Sequence, residues 1–164
     1  MSAYLSSLLP RLAAVALTLS LAACGNTTAP KVEAAKAIYT SSTDCADGGK
    51  LTYEQCVEAM SAAVTAHEKS APKYTSLKRC EEKEGAGKCE NAEDGQFRPK
   101  LLAFFVVAST PPVATPLYPA TKGEPGFRSA DNRLYLEKDE TITFSEHAQT
   151  LYEAHLDKRF KKKL

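Results

Sequence analysis

The sequence predicts an α+β fold: a single small disulfide-stapled domain that follows an export signal. Three observations carry this. Short strand-type runs alternate with two long runs of helical period. Four cysteines, Cys45, Cys56, Cys80 and Cys89, follow an apolar leader that ends at a fifth, Cys24. The 141 residues from Cys24 to Leu164 are enough for one modest core and no more. The expected organisation is a signal peptide over 1–23, a tether over 24–35, and a domain over 36–164 that closes on an amphipathic helix.

The leader MSAYLSSLLPRLAAVALTLSLAACGN has Arg11 as its one basic residue and an uncharged run from Leu12 to Ala23. Such a run is a signal-peptide core, too short to remain as a membrane span. It enters Leu21-Ala22-Ala23-Cys24, which resembles the bacterial lipobox, so that Cys24 is expected to carry acyl chains such as palmitate and to become the first mature residue. Cleavage after Ala23 by an ordinary signal peptidase would instead leave Cys24 as a free thiol. Each buried methylene contributes about 0.8 kcal/mol, and two or more chains anchor stably. Gly25 stands where an aspartate would resemble an inner-membrane retention signal, which implies outer-membrane sorting.

Within the domain, residues 36–41 read as a short strand, with Ile38 and Thr40 on one face and Tyr39 on the other. A turn at Asp47-Gly48-Gly49 leads to the clearest element. Thr52 and Gln55 have capping-box spacing, and Tyr53, Cys56, Val57, Met60, Val64 and His67 recur at helical intervals. Pro72 ends this helix near Ser70. Thr75 or Ser76 can cap a shorter helix through Leu77 and Cys80, stopped by Gly85 and Gly87. A polar loop over 90–96 precedes Leu101-Leu-Ala-Phe-Phe-Val-Val-Ala108, whose unbroken apolar character fits a strand buried on both faces. A proline- and glycine-rich stretch follows Thr110. Asp131-Asn132 can turn a hairpin within 127–136, and Thr141-Ile-Thr-Phe144 alternates as a strand. Ser145 caps a last helix with Ala148, Leu151, Tyr152, His155, Leu156 and Arg159 on one side.

Four cysteines in an exported chain read as two disulfides. Pairing Cys45 with Cys56 and Cys80 with Cys89 closes two short glycine-containing loops; pairing Cys56 with Cys80 and Cys45 with Cys89 would staple two helices instead. The sequence does not choose between them, although the first is favoured. A zinc site is not expected, because no C-x2-C knuckle is present.

Ile38-Tyr39, the four cysteines, Ser70-Ala-Pro-Lys-Tyr74 and Pro116-Leu-Tyr118, together with the block from Phe97 to Ala108, resemble the YgiB-like family of small exported proteins of unknown function. The similarity covers about residues 36–135, and its most specific parts are the cysteine spacing and the Ala-Pro-Lys-Tyr segment. Many members are lipoproteins, and some are encoded beside an ATP-grasp protein similar to glutathionylspermidine synthase. The resemblance therefore implies an envelope protein with a hint of thiol or polyamine chemistry. Where many relatives carry a long polar tail, this chain has a charged helix.

Function is constrained mainly by exclusion. Removing 1–23 removes Arg11 and no acid, leaving 20 basic against 20 acidic residues, so there is no global field to collect nucleic acid. Asp44-Cys-Ala-Asp-Gly-Gly-Lys-Leu-Thr-Tyr-Glu-Gln55 has an EF-hand frame with Gly49 at the turn, but Ala46, Gly48 and Gln55 occupy ligand positions, so no calcium is expected. Ser70-Ala-Pro-Lys73 matches the S-x-x-K spacing of penicillin-recognising enzymes, but no K-T-G or S-D-N partner follows and the domain is too short for that fold. His67 reads as a core histidine, and His147 and His155, eight apart on one helix, diverge by about 80° and cannot easily share a metal. No cofactor is expected. Lys158, Arg159, Lys161, Lys162 and Lys163 could touch anionic headgroups, or serve as a solvated helix end. The leading expectation is a non-catalytic binding or structural module, anchored to the outer membrane through Cys24, whose partner is another envelope component. The second is an envelope enzyme or small-ligand protein acting on thiol or polyamine compounds.

Overall fold

The computed structural model describes residues 33–121 and 125–155. Cys24 and the basic residues of 158–163 lie outside them, and so does the side chain of His155.

Six strands form one sheet. Their order is β7 (Leu134–Tyr135), β6 (Phe127–Arg128), β5 (Val113–Pro119), β4 (Ala103–Val107), β1 (Lys36–Tyr39) and β8 (Thr143–Phe144). Neighbours are antiparallel except β1 and β8, which run parallel. In β4, Ala103 and Phe105 face one core with Ile38, Leu117, Phe127, Ile142, Ala148 and Tyr152. Phe104 and Val106 face the other, with Tyr39, Cys45, Cys56, Met60 and Ala63. The apolar run at 101–108 is therefore a central strand covered on both sides, by α1 (Ser42–Asp47) and α2 (Tyr53–Ser70) on one and by α4 (Glu146–His155) on the other.

The capping box at α2 is formed: Thr52 Oγ1 accepts from the Gln55 amide at 3.3 Å and the Thr52 amide donates to Gln55 Oε1 at 2.9 Å. Ser76 caps α3 (Leu77–Glu84), and Ser145 caps α4 through the Ala148 amide at 3.1 Å. The hairpin of β6 and β7 turns at Asp131-Asn132, with Asn132 in the left-handed region at φ 64°. The disulfides join Cys45 to Cys56 and Cys80 to Cys89, with Cα atoms 6.0 and 6.2 Å apart.

Four expectations change. The residues after Ser41 form α1, a helix in place of a turn, capped where Ser41 Oγ accepts from the Asp44 amide. The loop over 90–96 is a hairpin of β2 (Cys89–Asn91) and β3 (Phe97–Pro99), registered Glu90 to Arg98. The proline-rich stretch contains β5, which lies opposite the whole of β4; Pro116 pairs with Phe104 where β6 has not yet joined, since β6 meets β5 only at Tyr118 and Pro119. One missing donor is tolerated there because that edge of the strand has no partner. Finally, Tyr53, Val57 and Val64 do not enter the core: they are 52%, 36% and 40% exposed. The buried stripe of α2 is Cys56, Ala59, Met60, Ala63 and His67.

Candidate functional site

Three side-chain groupings could carry function. The first joins α1, β1 and α4. Asp44, placed by the Ser41 cap and 8% exposed, receives the Thr40 amide at 2.8 Å, Thr40 Oγ1 at 3.1 Å and Ser145 Oγ at 2.7 Å, while His147 Nδ1 lies 3.3 Å from its other oxygen. Burial pushes the Asp44 carboxyl up, but the hydrogen bonds from Ser145, Thr40 and His147 outweigh it and hold it below the usual range. Serine, histidine and aspartate thus meet, yet not as a triad. A triad needs the serine hydroxyl on the histidine and the histidine on the acid; here both bond to the same carboxylate, and Ser145 is also spent as the α4 cap. The group is a joint between the first and last elements of the domain.

The second grouping is a polar network beneath α2. His67, 1% exposed, has Nδ1 3.1 Å from Tyr118 Oη and Nε2 3.1 Å from Glu90 Oε1. A neutral ring satisfies both contacts by donating from Nε2 and accepting at Nδ1. Burial lowers the His67 pKa, opposed by the Glu90 hydrogen bond and assisted by Arg98. Arg98 reaches Glu90 Oε1 from Nε at 2.9 Å and holds Glu68 with both terminal nitrogens. On the far side of Tyr118, the Arg128 guanidinium lies 5.5 Å over its ring and pairs with Glu84, which accepts from Tyr74 Oη at 2.6 Å. Burial, then Glu84, pushes Tyr74 up to about 12, and burial pushes Tyr118 up to about 12. His67, Tyr118, Arg98, Arg128 and Glu84 are buried, Glu68 and Glu90 reach the surface, and among these groups Arg128 Nε is the buried atom without a partner. The network binds α2, α3 and the β2–β3 hairpin to the sheet.

The third is the exposed apolar stripe of Tyr53, Val57 and Val64 along α2, three of the positions whose helical spacing marks that element.

The remaining expectations find their places. The EF-like frame is occupied by α1 and the Cys45–Cys56 bridge, and its first carboxylate is consumed by Thr40, Ser145 and His147. No group of three or more His, Cys, Asp or Glu able to hold a metal occurs among the described residues. Ser70 Oγ donates to the Ala66 carbonyl and Lys73 pairs with Asp94 at 2.5 Å, so the Ser-x-x-Lys spacing builds no nucleophile and base. No helix among the described residues is long and apolar enough to cross a membrane. The sequence missed the Asp44 joint, whose partners are 101 and 103 positions away, and the Arg128–Glu84 pair, 44 positions apart. The nearest local signal was Ser41-x-x-Asp44, a capping pattern.

Fold and site together define a two-disulfide α+β domain whose buried polar groups hold its elements together. Residues 33–162 match the family described as "Protein of unknown function (DUF1190)", and the chain belongs to that family. This agrees with the YgiB-like resemblance carried by the cysteine spacing and the Ala-Pro-Lys-Tyr segment. No curated protein and no solved structure matches the chain.

Proposed function

We propose that the protein is a non-catalytic envelope lipoprotein, held at the outer membrane by acylated Cys24, whose domain binds another envelope component through α2. The observation that carries this is the stripe of Tyr53, Val57 and Val64, apolar side chains left in solvent on the helix most firmly fixed to the sheet. Large apolar groups aligned on one face favour a contact surface over a substrate site. The lipobox-like Leu21-Ala22-Ala23-Cys24 and the uncharged leader support export and anchoring. The absence of a nucleophile–base contact at Asp44, Ser145 and His147, and at Ser70 and Lys73, weighs against hydrolase chemistry at those places.

The test is photocrosslinking in intact cells with a benzophenone residue at Val57 or Val64. A discrete adduct at both positions, and none from exposed Glu93 on the β2–β3 loop, is expected. It should vanish in Cys24→Ser, which should also lose acyl labelling. Equal labelling from all three positions, or a Cys24→Ser protein that stays acylated, would overturn the reading.

A further inference from the structure

β1, the turn after α1 and the start of α4 enclose a cleft of about 360 Å³, within the range of small-molecule sites. It shares no residue with the α2 stripe. In its wall Tyr39, 6% exposed, lays the hydroxyl end of its ring against Gly48, where any larger residue would collide with it. That hydroxyl bonds to no described residue and, unlike Arg128 Nε, is not sealed from solvent, so it is open to a ligand in the cleft. Burial, then Asp44, raises the Tyr39 pKa, so the group is a donor at neutral pH.

The charges around the cleft divide into spent and free. Lys36 is held by Glu33, and Asp44 by Thr40, Ser145 and His147. Lys50, Asp47 and Glu146 also line the cleft and are exposed, and none pairs with a described residue. A free cation and an unpaired phenol lining one cleft suit a carboxylate. Two free carboxylates suit two ammonium groups.

We propose that this cleft is a binding site for a small diamino acid, with Lys50 and Tyr39 receiving its carboxylate and Asp47 and Glu146 its two ammonium groups. Recognition of both signs of charge separates this ligand from a simple diamine, which would leave Lys50 and Tyr39 unanswered, and from a simple anion, which the two acids would repel.

Calorimetric titration of the full chain in detergent tests this with three probes. L-Lysine carries the full charge set, cadaverine lacks its carboxylate, and 6-aminohexanoate lacks its α-ammonium group. L-Lysine should bind in roughly the micromolar to millimolar range, and each truncated probe about tenfold more weakly. Lys50→Gln should weaken L-lysine about fivefold and leave cadaverine unchanged. Tyr39→Phe, which keeps the ring against Gly48, should also weaken L-lysine. No binding of L-lysine, cadaverine binding as tightly as L-lysine, or an unaltered Lys50→Gln protein would overturn the proposal. Because the α2 stripe lies apart, such a failure would leave the crosslinking result standing.

Discussion

The Arg128–Glu84 pair gives the sharpest measure of what holds the domain together. Their side chains are 3% and 4% exposed, and the pair links the sheet to α3. Arg128→Met removes the cation and leaves Glu84 with the Tyr74 hydroxyl alone. Glu84→Leu leaves the guanidinium with the Ser129 carbonyl at 3.2 Å and the Tyr118 face, adding Nη2 to the already unsatisfied Nε. Breaking a buried pair from one side costs about 3–5 kcal/mol, because the surviving charge stays desolvated, whereas removing both charges with apolar groups is often close to neutral. Each single variant should therefore lose about 3–5 kcal/mol, a fall in Tm of roughly 10–20 °C for a domain this size. Arg128→Met/Glu84→Leu should lie within about 2 kcal/mol of the parent, so the two losses fail to add. Urea denaturation with the disulfides intact measures all three, with m checked for constancy. Single losses below about 1 kcal/mol that simply add in the double variant would show both groups hydrated in solution, and would refute the argument from burial.

Gly126 and Asp44 extend the test to α4. Gly126 has φ 73°, and a Cβ there would fall within the Tyr152 ring, which is wedged edge-on against Phe127 and Phe144. Gly126→Ala should cost about 2–5 kcal/mol, from left-handed strain plus overpacking, while Gly49→Ala, at φ 67° with open space around it, should cost only about 1–2 kcal/mol; equal losses in thermal melts would contradict the packing. The Asp44 pKa is depressed in the fold, so its contribution is complete above its ordinary value of 3.8 and is lost as pH falls below that toward the folded-state value. Stability measured from pH 6 to 2 should fall more steeply in the parent than in Asp44→Asn over that acid window. Parallel curves would show that the carboxylate is not held by Thr40, Ser145 and His147. His67, also depressed, destabilises the fold on acidification through its ordinary value of 6.5, but does so in both proteins and cancels in the comparison.

Elements whose signal is local were legible in the sequence, and those set by distant partners were not. Thr52 with Gln55, the Ser76 and Ser145 caps, the Asp131-Asn132 turn and the doubly buried run around Phe104 each declare themselves within a few residues. β5 hid behind Pro112, Pro116 and Pro119, because a missing ladder donor counts against a strand unless its unpaired edge is known. The β2–β3 hairpin hid because Glu90 and Arg98 face each other as an ion pair, which leaves no apolar alternation to detect. On α2, periodicity placed one apolar band correctly, but its width is fixed by the sheet beneath. Phe104 and Val106 take the Cys56, Met60 and Ala63 side, and Tyr53, Val57 and Val64 remain outside. The residue types at Asp44 and His147 were visible; their meeting was not, because the whole domain lies between them in the chain.

The His67–Arg98 network, the capping box and the Cys45–Cys56 disulfide acquire a common role when placed along α2. Its N-terminal end is fixed by the Cys45–Cys56 bridge and the capping box. Its C-terminal end is fixed by His67 to Tyr118 and Glu90, and by Glu68 to Arg98. Between them Ala59, Met60 and Ala63 lie against the sheet. A helix restrained at both ends and along one face has already lost the backbone freedom that a mobile segment would surrender on binding, about 1–2 kcal/mol per residue. Its outer stripe can therefore dock with only side-chain ordering left to set against the contact. Loosening either end should weaken a partner without touching the stripe itself. Glu68→Gln, which replaces the carboxylate that grips Arg98, is expected to reduce crosslinking from Val64 at the nearer end more than from Val57; an equal or greater loss at Val57 would separate the network from the surface.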